Sequence, residues 1–244
     1  MRTIVIVIFF LIFFIISIPL LLIAYLLGFY SLLARTRMAH AIIRCVAKII
    51  LWIGGVNVTV IGRKHVPRNE SVVYILNHRS YFDAVLCYAT VPNLAGFISM
   101  KTMKRVPFIN QWMKYLGCLF IDRKDIRQGL ITIKTGVSFL KMGLSIFIAP
   151  EGKRNLTGDI DMLPFKEGSF KLAKKTGCAI VPIAINNADK IFETQLPWVK
   201  KTKVIIEYGE PIYLKELEVK ERKFTGSYVQ KIIKDMLIKN QKLL

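Results

Sequence analysis

A histidine and an aspartate stand five positions apart, directly after a run of strand-forming residues. His78 follows the stretch 71–76, and Asp83 is the second member of the pair. On one α-helix a spacing of five rotates by about 140°, so the two side chains would point apart. They can meet only if the backbone turns between them. The sequence predicts that turn: a strand at 71–76, a loop at 77–79 and a helix that begins near Ser80.

The spacing is compatible with two roles for the pair. A hydrogen-bonded aspartate gives imidazole a fixed tautomer, so the histidine can act as a general base on an O–H group. Ser80 and Asp83 also fit a helix capping box, in which the acid accepts hydrogen bonds from backbone amides. The two roles can coexist, because an acid held by a cap is also a well-placed partner for a histidine.

A general base needs a nucleophile, and the sequence offers no clear one of its own. The G-x-S-x-G motif of serine hydrolases does not occur. Ser80 is a conceivable nucleophile but is better explained as the helix N-cap. The attacking hydroxyl then belongs to the substrate, which indicates direct acyl transfer to an alcohol.

A second candidate is Arg123, at the end of the stretch GCLFIDR. It follows a predicted strand, where its guanidinium could bind a phosphate in bidentate fashion. The alternative is a surface salt bridge with Asp122 or Asp125.

A third candidate is the loop 150–164, which follows a buried apolar strand. A tight turn at Gly152 could present backbone N–H groups to an oxyanion. Glu151 could bind a substrate hydroxyl, and Lys153 and Arg154 add positive charge. A solvated loop is the alternative, but a loop of this length without clear structure favours function.

The stretch 99–117 mixes cations with large apolar residues. Lys101 and Lys104 alternate with Met103, Phe108 and Trp112. This mixture suits an anionic headgroup beside an acyl chain, or simple packing on a membrane.

The charge balance favours an anionic partner. The net charge is +20, from 36 basic and 16 acidic residues. No nucleic-acid-binding motif is present, so we expect no nucleic-acid partner. Basic residues beside an anionic leaflet gain roughly 1 kcal/mol each. An apolar N-terminal segment makes a phospholipid bilayer the expected partner.

That segment, 3–34, contains no charged residue. As one helix its 32 residues would measure about 48 Å, longer than a bilayer core of about 30 Å. Pro19 could kink or divide it. A single tilted spanning helix and a bent or hairpin-like insertion both remain open. The basic residues that follow the segment predict that the rest of the chain is cytoplasmic.

The next segment, 37–53, has helical spacing of apolar and basic residues. Ile42, Val46 and Ile50 can share one face, while His40 and Arg44 lie away from it. We expect an interfacial amphipathic helix, with packing on the soluble domain as the alternative.

After Gly54 the chain alternates short β-rich runs with helical ones. Four scattered cysteines without a C-x-x-C pair indicate reduced thiols rather than disulfides or a zinc site. The alternation predicts one α/β domain with a largely parallel sheet, 54–244, preceded by membrane-anchoring helices, 1–53. Ligands in such sheets gather at the carboxyl ends of the strands.

Four stretches in order carry a family resemblance: NHRSYFD, GCLFIDR, PEGKR with PFKEGS, and VPIAI. Together they resemble the four sequence blocks of the glycerolipid acyltransferase family, whose signature is H-x-x-x-x-D. The resemblance covers about 55–210. The size and N-terminal segment most resemble the bacterial members that acylate 1-acyl-sn-glycerol-3-phosphate (lysophosphatidic acid) in phospholipid biosynthesis.

The resemblance implies a membrane enzyme that takes an acyl chain from acyl-CoA or acyl carrier protein, without metal, cofactor or covalent intermediate. His78 corresponds to the general base and Asp83 to the residue that orients it. Arg123 falls in the block associated with glycerol phosphate, and Glu151 and Gly152 in the block associated with the acceptor. The third block usually reads F-P-E-G-T-R, whereas Ala149 and Lys153 stand at two of its positions here.

The resemblance also implies a location on the cytoplasmic face of the inner membrane. Alternative activities with the same residues are acylation of glycerol-3-phosphate or of another lysophospholipid. A thioesterase and a lipid-binding scaffold without activity are the competing functional classes.

Overall fold

Two long helices precede a regular alternation of strands and helices. The computed structural model describes residues 1–122, 125–156 and 160–244. The elements, in chain order, are α1 Arg2–Tyr30, α2 Leu32–Gly54, β1 Asn57–Ile61, β2 Val73–Leu76, α3 Phe82–Thr90, β3 Ala95–Met100, α4 Ile109–Tyr115, β4 Leu119–Ile121, α5 Ile126–Lys141, β5 Ser145–Ile148, α6 Lys171–Thr176, β6 Ile180–Asn186, β7 Lys203–Tyr208, α7 Val219–Lys223 and α8 Thr225–Gln241.

The seven strands form one sheet in the order β1-β7-β6-β2-β5-β3-β4. The five strands from β6 to β4 run parallel to one another, whereas β7 is antiparallel to β6. The predicted single α/β domain with a largely parallel sheet is therefore confirmed. Because five strands point the same way, the loops after β2, β3, β4, β5 and β6 all leave from one edge.

Helices cover both faces of the sheet, which explains why its central strands are apolar throughout. Along β2, Tyr74 and Leu76 pack in a core with residues of α2 and α3. Val73 and Ile75 point the other way, into a core with residues of α5, α6 and α8. The alternation of strand side chains therefore joins the two cores through one sheet.

One local detail differs from the sequence prediction: the helix expected to begin near Ser80 begins at Phe82. In α5, Leu130 is 59% exposed, whereas Thr132 and Leu140 are buried. The buried face of α5 includes Thr132, whose hydroxyl donates a hydrogen bond to the Phe120 carbonyl of β4.

The N-terminal helices form an antiparallel hairpin. Ser31 is extended between them, and its hydroxyl accepts a hydrogen bond from Ala34 at the start of α2. By length and composition, α1 could cross a membrane, and it is the one such helix among the described residues. Its side chains are largely exposed except where it meets α2 and α4.

Two contacts fix α1 against the rest of the chain. The Thr3 hydroxyl accepts a hydrogen bond of 2.8 Å from the Val199 amide. Further along, the ring of Phe13 lies 5.9 Å from that of Trp112 in α4. The first half of α1 therefore lies beside the α/β domain rather than apart from it.

The prediction that His40 and Arg44 lie on an interfacial polar face of α2 was wrong. His40 is 2% exposed, and its Nε2 lies 2.8 Å from backbone atoms of Ala95. Arg44 donates a hydrogen bond of 2.6 Å to the Val91 carbonyl. These side chains satisfy backbone groups of the domain instead of facing water or lipid, so α2 packs on the domain along this face. Burial lowers the pKa of His40 to about 4, so the imidazole is neutral at pH 7.

Candidate active site

The turn after β2 brings His78 and Asp83 together. The His78 Nδ1 atom lies 2.8 Å from the Asp83 Oδ2 atom. The same oxygen accepts hydrogen bonds from the backbone amides of Arg79 (2.8 Å) and Ser80 (2.9 Å). Asp83 is only 1% exposed, and these three donors compensate the burial of its charge. The predicted geometry of a strand, a turn and a helix is confirmed.

The capping box with Ser80 as N-cap is not formed, because the N-cap of α3 is Tyr81, which makes no side-chain cap hydrogen bond. Ser80 lies one residue earlier, and its hydroxyl accepts a hydrogen bond from the Phe82 amide. Asp83 accepts the Ser80 amide. The serine and the aspartate therefore hold the backbone that leads into α3, and the same aspartate bonds the histidine.

The arrangement sets which nitrogen of His78 is available for chemistry. With Nδ1–H donated to Asp83, Nε2 carries the lone pair and can accept a proton. The His78 side chain is 32% exposed, so a substrate hydroxyl can reach it. The geometry suits a general base, and the catalytic role itself stays a prediction.

Asn77 fixes the position of the turn and was missed in the sequence. Its side-chain amide donates to the Ile185 carbonyl (3.0 Å) and accepts from the Ile185 amide (2.8 Å). The two side-chain hydrogen bonds of this fully buried residue therefore continue the backbone pairing between β2 and β6 beyond the end of β2. A polar residue at the end of an apolar strand was the available signal.

Glu151 joins the loop after β5 to the histidine. Its two oxygens accept hydrogen bonds from the backbone amides of His78 (2.8 Å) and Leu163 (2.9 Å). The residue is 3% exposed, and burial raises the pKa of its carboxyl above the usual value. This geometry gives Glu151 a positioning role; its contact with a substrate hydroxyl stays a prediction that the geometry does not support.

Gly152 occupies a left-handed turn. Its φ of 81° is a conformation that favours glycine, which explains the residue type at this position. Its amide donates a hydrogen bond of 3.1 Å to the Ala149 carbonyl. The predicted oxyanion contact through this N–H is therefore not supported by the structure, because the group already has a partner.

Arg154 contacts the turn between His78 and Asp83 through Tyr81. It forms an ion pair of 3.4 Å with Glu193 and donates a hydrogen bond of 2.9 Å to the Tyr81 hydroxyl. Its guanidinium also stacks 3.7 Å from the centre of the Tyr81 ring. The residue lies near the site, and its predicted contact with substrate phosphate stays a prediction. Glu193 was not among the residues predicted from sequence.

The remaining cations follow β3 and β4. The Lys101 ammonium lies 3.5 Å from the Asp122 carboxylate, and the Lys104 ammonium lies 5.5 Å from the centre of the Phe120 ring. Arg123 lies outside the described residues. Because β3 is two strands from β2, Lys101 lies roughly 10 Å across the sheet edge from the turn between His78 and Asp83.

The nucleophilic side chains nearest the pair are not free to attack a substrate. Ser80 is fully buried, and its hydroxyl donates to Glu193 at 2.7 Å. Cys87, one helical turn after Asp83, is fully buried, and burial raises the pKa of its thiol well above the usual value. Both observations favour an attacking group that comes from the substrate.

The fold and the site define an α/β enzyme with a hydrogen-bonded His–Asp pair at the carboxyl edge of a parallel sheet. A family model described as Acyltransferase matches residues 57–186, which is more than half of the chain. The chain belongs to the acyltransferase family. The matched range contains His78, Asp83 and the loop with Glu151.

Relatives and a solved structure agree with this result. The chain is 29% identical to the 1-acyl-sn-glycerol-3-phosphate acyltransferase of Borreliella burgdorferi, over 83% of this chain and 79% of that protein. It is 26% identical to the Saccharomyces cerevisiae enzyme of the same name, over 80% of this chain and 63% of that protein. The crystal structure of the acyltransferase PlsC from Thermotoga maritima matches the fold with a TM-score of 0.76, covering 99% of this chain and 98% of that one at 22% identity.

Proposed function

We propose that the protein is a 1-acyl-sn-glycerol-3-phosphate acyltransferase. It moves a fatty acyl chain from acyl-CoA or acyl carrier protein to the sn-2 hydroxyl of lysophosphatidic acid, and the product is phosphatidic acid. The observation that carries the chemistry is the 2.8 Å contact between His78 and Asp83. Membership of the family and the names of its relatives support the identity of the acceptor.

The proposed mechanism is direct transfer. Nε2 of His78 takes the proton of the acceptor hydroxyl while its oxygen attacks the carbonyl carbon of the thioester. Asp83 stabilises the imidazolium that forms. The tetrahedral intermediate then expels the carrier thiolate, which takes the proton back from His78 and leaves as a thiol. The occupied hydroxyl of Ser80 and the buried thiol of Cys87 support a path without a covalent enzyme intermediate.

The proposed acceptor site uses basic residues that follow β3, β4 and β5 in the sequence. Lys101, Lys104, Arg123 and Arg154 supply cations for the phosphate of the acceptor. Glu151 and Gly152 shape the loop beside His78 rather than bind the hydroxyl themselves. The reaction requires no cofactor beyond the acyl donor in this proposal.

The hairpin of α1 and α2 supports a location on the cytoplasmic face of the inner membrane. α1 exposes an apolar surface, yet its residue Thr3 bonds Val199 of the domain. A helix that crossed the bilayer would separate its two ends, and the start of α1 could then not contact the domain. We therefore favour insertion into one side of the bilayer.

The location is tested with Ile4→Cys in a Cys45→Ser background, since Ile4 and Cys45 are both exposed. In sealed vesicles, a membrane-impermeant maleimide added on the side opposite the α/β domain (the outer side) should not label this cysteine. Labelling from the outer side would show a crossing helix and contradict the proposal.

The activity is tested with a panel of acceptors and donors in liposomes. We expect transfer to lysophosphatidic acid to exceed transfer to glycerol-3-phosphate and to other lysophospholipids. His78→Ala should abolish transfer, while His65→Ala, which changes a half-buried histidine paired with Glu210, should not. Preference for glycerol-3-phosphate, release of free fatty acid without acceptor, or absence of turnover would each overturn the proposal.

A further inference from the structure

Glu193 lies in the loop between β6 and β7, in a short 3₁₀ helix Glu193–Gln195. Its side chain is 6% exposed, although the loop around it lies at the surface. A carboxylate is costly to bury unless several donors surround it. The donors that surround Glu193 all come from the catalytic turn or from the loop after β5.

Two hydrogen bonds join Glu193 to the catalytic turn. The Ser80 hydroxyl donates to Oε2 at 2.7 Å, and the Tyr81 backbone amide donates to Oε1 at 2.7 Å. Arg154 adds an ion pair to Oε1 at 3.4 Å. The contacts to the turn are short and charge-assisted, which makes them stronger than hydrogen bonds between neutral groups.

Ser80 and Tyr81 are part of the backbone that connects His78 to Asp83. Asp83 accepts the Ser80 amide. Glu193 accepts the Ser80 hydroxyl and the next amide, that of Tyr81. Two carboxylates therefore hold two successive residues of the turn through different donor groups, and the second carboxylate lies 113 residues away along the chain.

We propose that Glu193 is a positioning residue that fixes this turn, so that the His78 imidazole meets the Asp83 carboxylate in the geometry needed for proton transfer. The inference rests on the proposed function for its kinetic test only. Glu193 contacts neither His78 nor Asp83 directly, and it acts through Ser80 and Tyr81. Without the hydrogen bonds from Ser80 and Tyr81 to Glu193, the turn can change conformation. A misplacement of about 1 Å in a catalytic group can lower the rate about 100-fold.

The kinetic test compares Glu193→Gln and Glu193→Ala with Glu210→Gln, which removes an exposed carboxylate elsewhere. An amide keeps one acceptor oxygen, so we expect kcat to fall about 10-fold for the glutamine variant and about 100-fold for the alanine variant. KM for the acceptor should change less than about threefold, because a general base acts in the chemical step. An unchanged kcat, or a change in KM alone, would overturn the proposal.

A double mutant separates positioning through the turn from a general loss of stability. Ser80→Ala removes the hydroxyl that Glu193 accepts. If both residues act through the same contact, Ser80→Ala combined with Glu193→Gln should lower kcat little more than the worse single variant. Multiplicative losses would show independent effects and contradict the proposal.

The histidines provide a readout that does not depend on activity. The sequence contains three histidines, so ¹⁵N-histidine labelling gives signals from three imidazole rings in NMR spectra. The signals that disappear in His78→Ala are those of His78. In Glu193→Gln the proton in the His78–Asp83 hydrogen bond should shift or exchange faster with water. The signals of His40 and His65 should not move, because His40 bonds to Ala95 and His65 pairs with Glu210, and neither bonds to Ser80, Tyr81 or Glu193.

The two readouts distinguish the proposals from each other. An unchanged His78 signal in Glu193→Gln, or equal changes in all three histidines, would overturn the positioning role whatever the enzyme acylates. A wild-type protein that does not acylate lysophosphatidic acid would overturn the proposed function, while the imidazole spectra would still test Glu193.

Discussion

Asp83 can be changed to asparagine without losing its hydrogen bonds, because only one of its two oxygens has partners. Oδ2 accepts from His78 and from the amides of Arg79 and Ser80, whereas Oδ1 is buried and has no hydrogen-bond partner among the described residues. The amide oxygen of Asp83→Asn can take the place of Oδ2, and its NH₂ group that of Oδ1. We therefore expect this variant to fold and to lose only the negative charge.

The magnitude follows from the distance between the two side chains. An imidazolium 2.8 Å from a carboxylate gains about 6 kcal/mol at an effective dielectric constant of about 20. A hydrogen bond to a charged group contributes about 1.5 to 3 kcal/mol net, and solvent around the partly exposed His78 lowers the larger figure. A loss of about 3 to 6 kcal/mol in the transition state lowers kcat by about 10² to 10⁴.

The assay measures kcat with saturating donor and lysophosphatidic acid, together with the melting temperature of each variant. Asp161→Asn is the matched control, because Asp161 is an exposed carboxylate paired with Lys234. A variant Asp83→Asn that melts normally and retains more than a third of the wild-type kcat would refute the role of the charge. A large drop in melting temperature would refute the claim that the amide preserves the hydrogen bonds.

Three further predictions concern stability. The pKa of His40 is lowered to about 4 in the folded chain, so the unfolded chain binds a proton more readily and stability is lost as pH falls from about 6.5 to about 4. Between pH 7 and pH 5 this loss is about 2 kcal/mol. His40→Gln should therefore flatten the dependence of melting temperature on pH, and an equal slope in both proteins would contradict the prediction. Gly96→Ala would place a Cβ atom 2.3 Å from the Gly117 carbonyl oxygen, so thermal melts should show a loss of stability of about 1 to 3 kcal/mol. An unchanged melting temperature would contradict this and show that the backbone at Gly117 can move away. Gly129→Ala, in α5 with open space around its Cβ position, should stabilise the protein by about 0.5 to 1 kcal/mol, and a lower melting temperature would contradict this expectation.

The turn that joins His78 to Asp83 could be predicted because its determinants are local. The strand, the turn and the first residues of α3 lie within 71–83, and helical geometry alone requires a bend between His78 and Asp83. The parallel sheet was predictable for a similar reason, since buried apolar strands alternate with helices along the chain. The largest local miss was α4, a short helix of seven residues that follows Pro107.

The orientation of α2 could not be read from its own pattern. Basic residues at helical spacing normally indicate a face toward water or lipid headgroups. His40 and Arg44 instead bind the backbone of Ala95 and Val91, which are 55 and 47 residues away. A tertiary partner decided the orientation, and periodicity carries no information about such a partner.

Glu193 and Asn77 show the same limit in the candidate site. Asn77 reaches Ile185 over 108 residues, and Glu193 reaches Ser80 over 113. Neither side chain belongs to a motif whose spacing indicates the contact. The residues that carry the proposed chemistry could be found from sequence, whereas those that hold them in place depend on the complete fold.

The contact between Thr3 and Val199 has a consequence for how the chain is made. The two residues are 196 positions apart, so a ribosome that adds 5 to 20 residues per second completes the second about 10 to 40 s after the first. Throughout that interval α1 lacks this contact, and most of its apolar side chains are exposed even in the complete fold. Synthesis therefore requires that a bilayer or a chaperone cover α1 before the domain exists, and translation without lipid should yield aggregates.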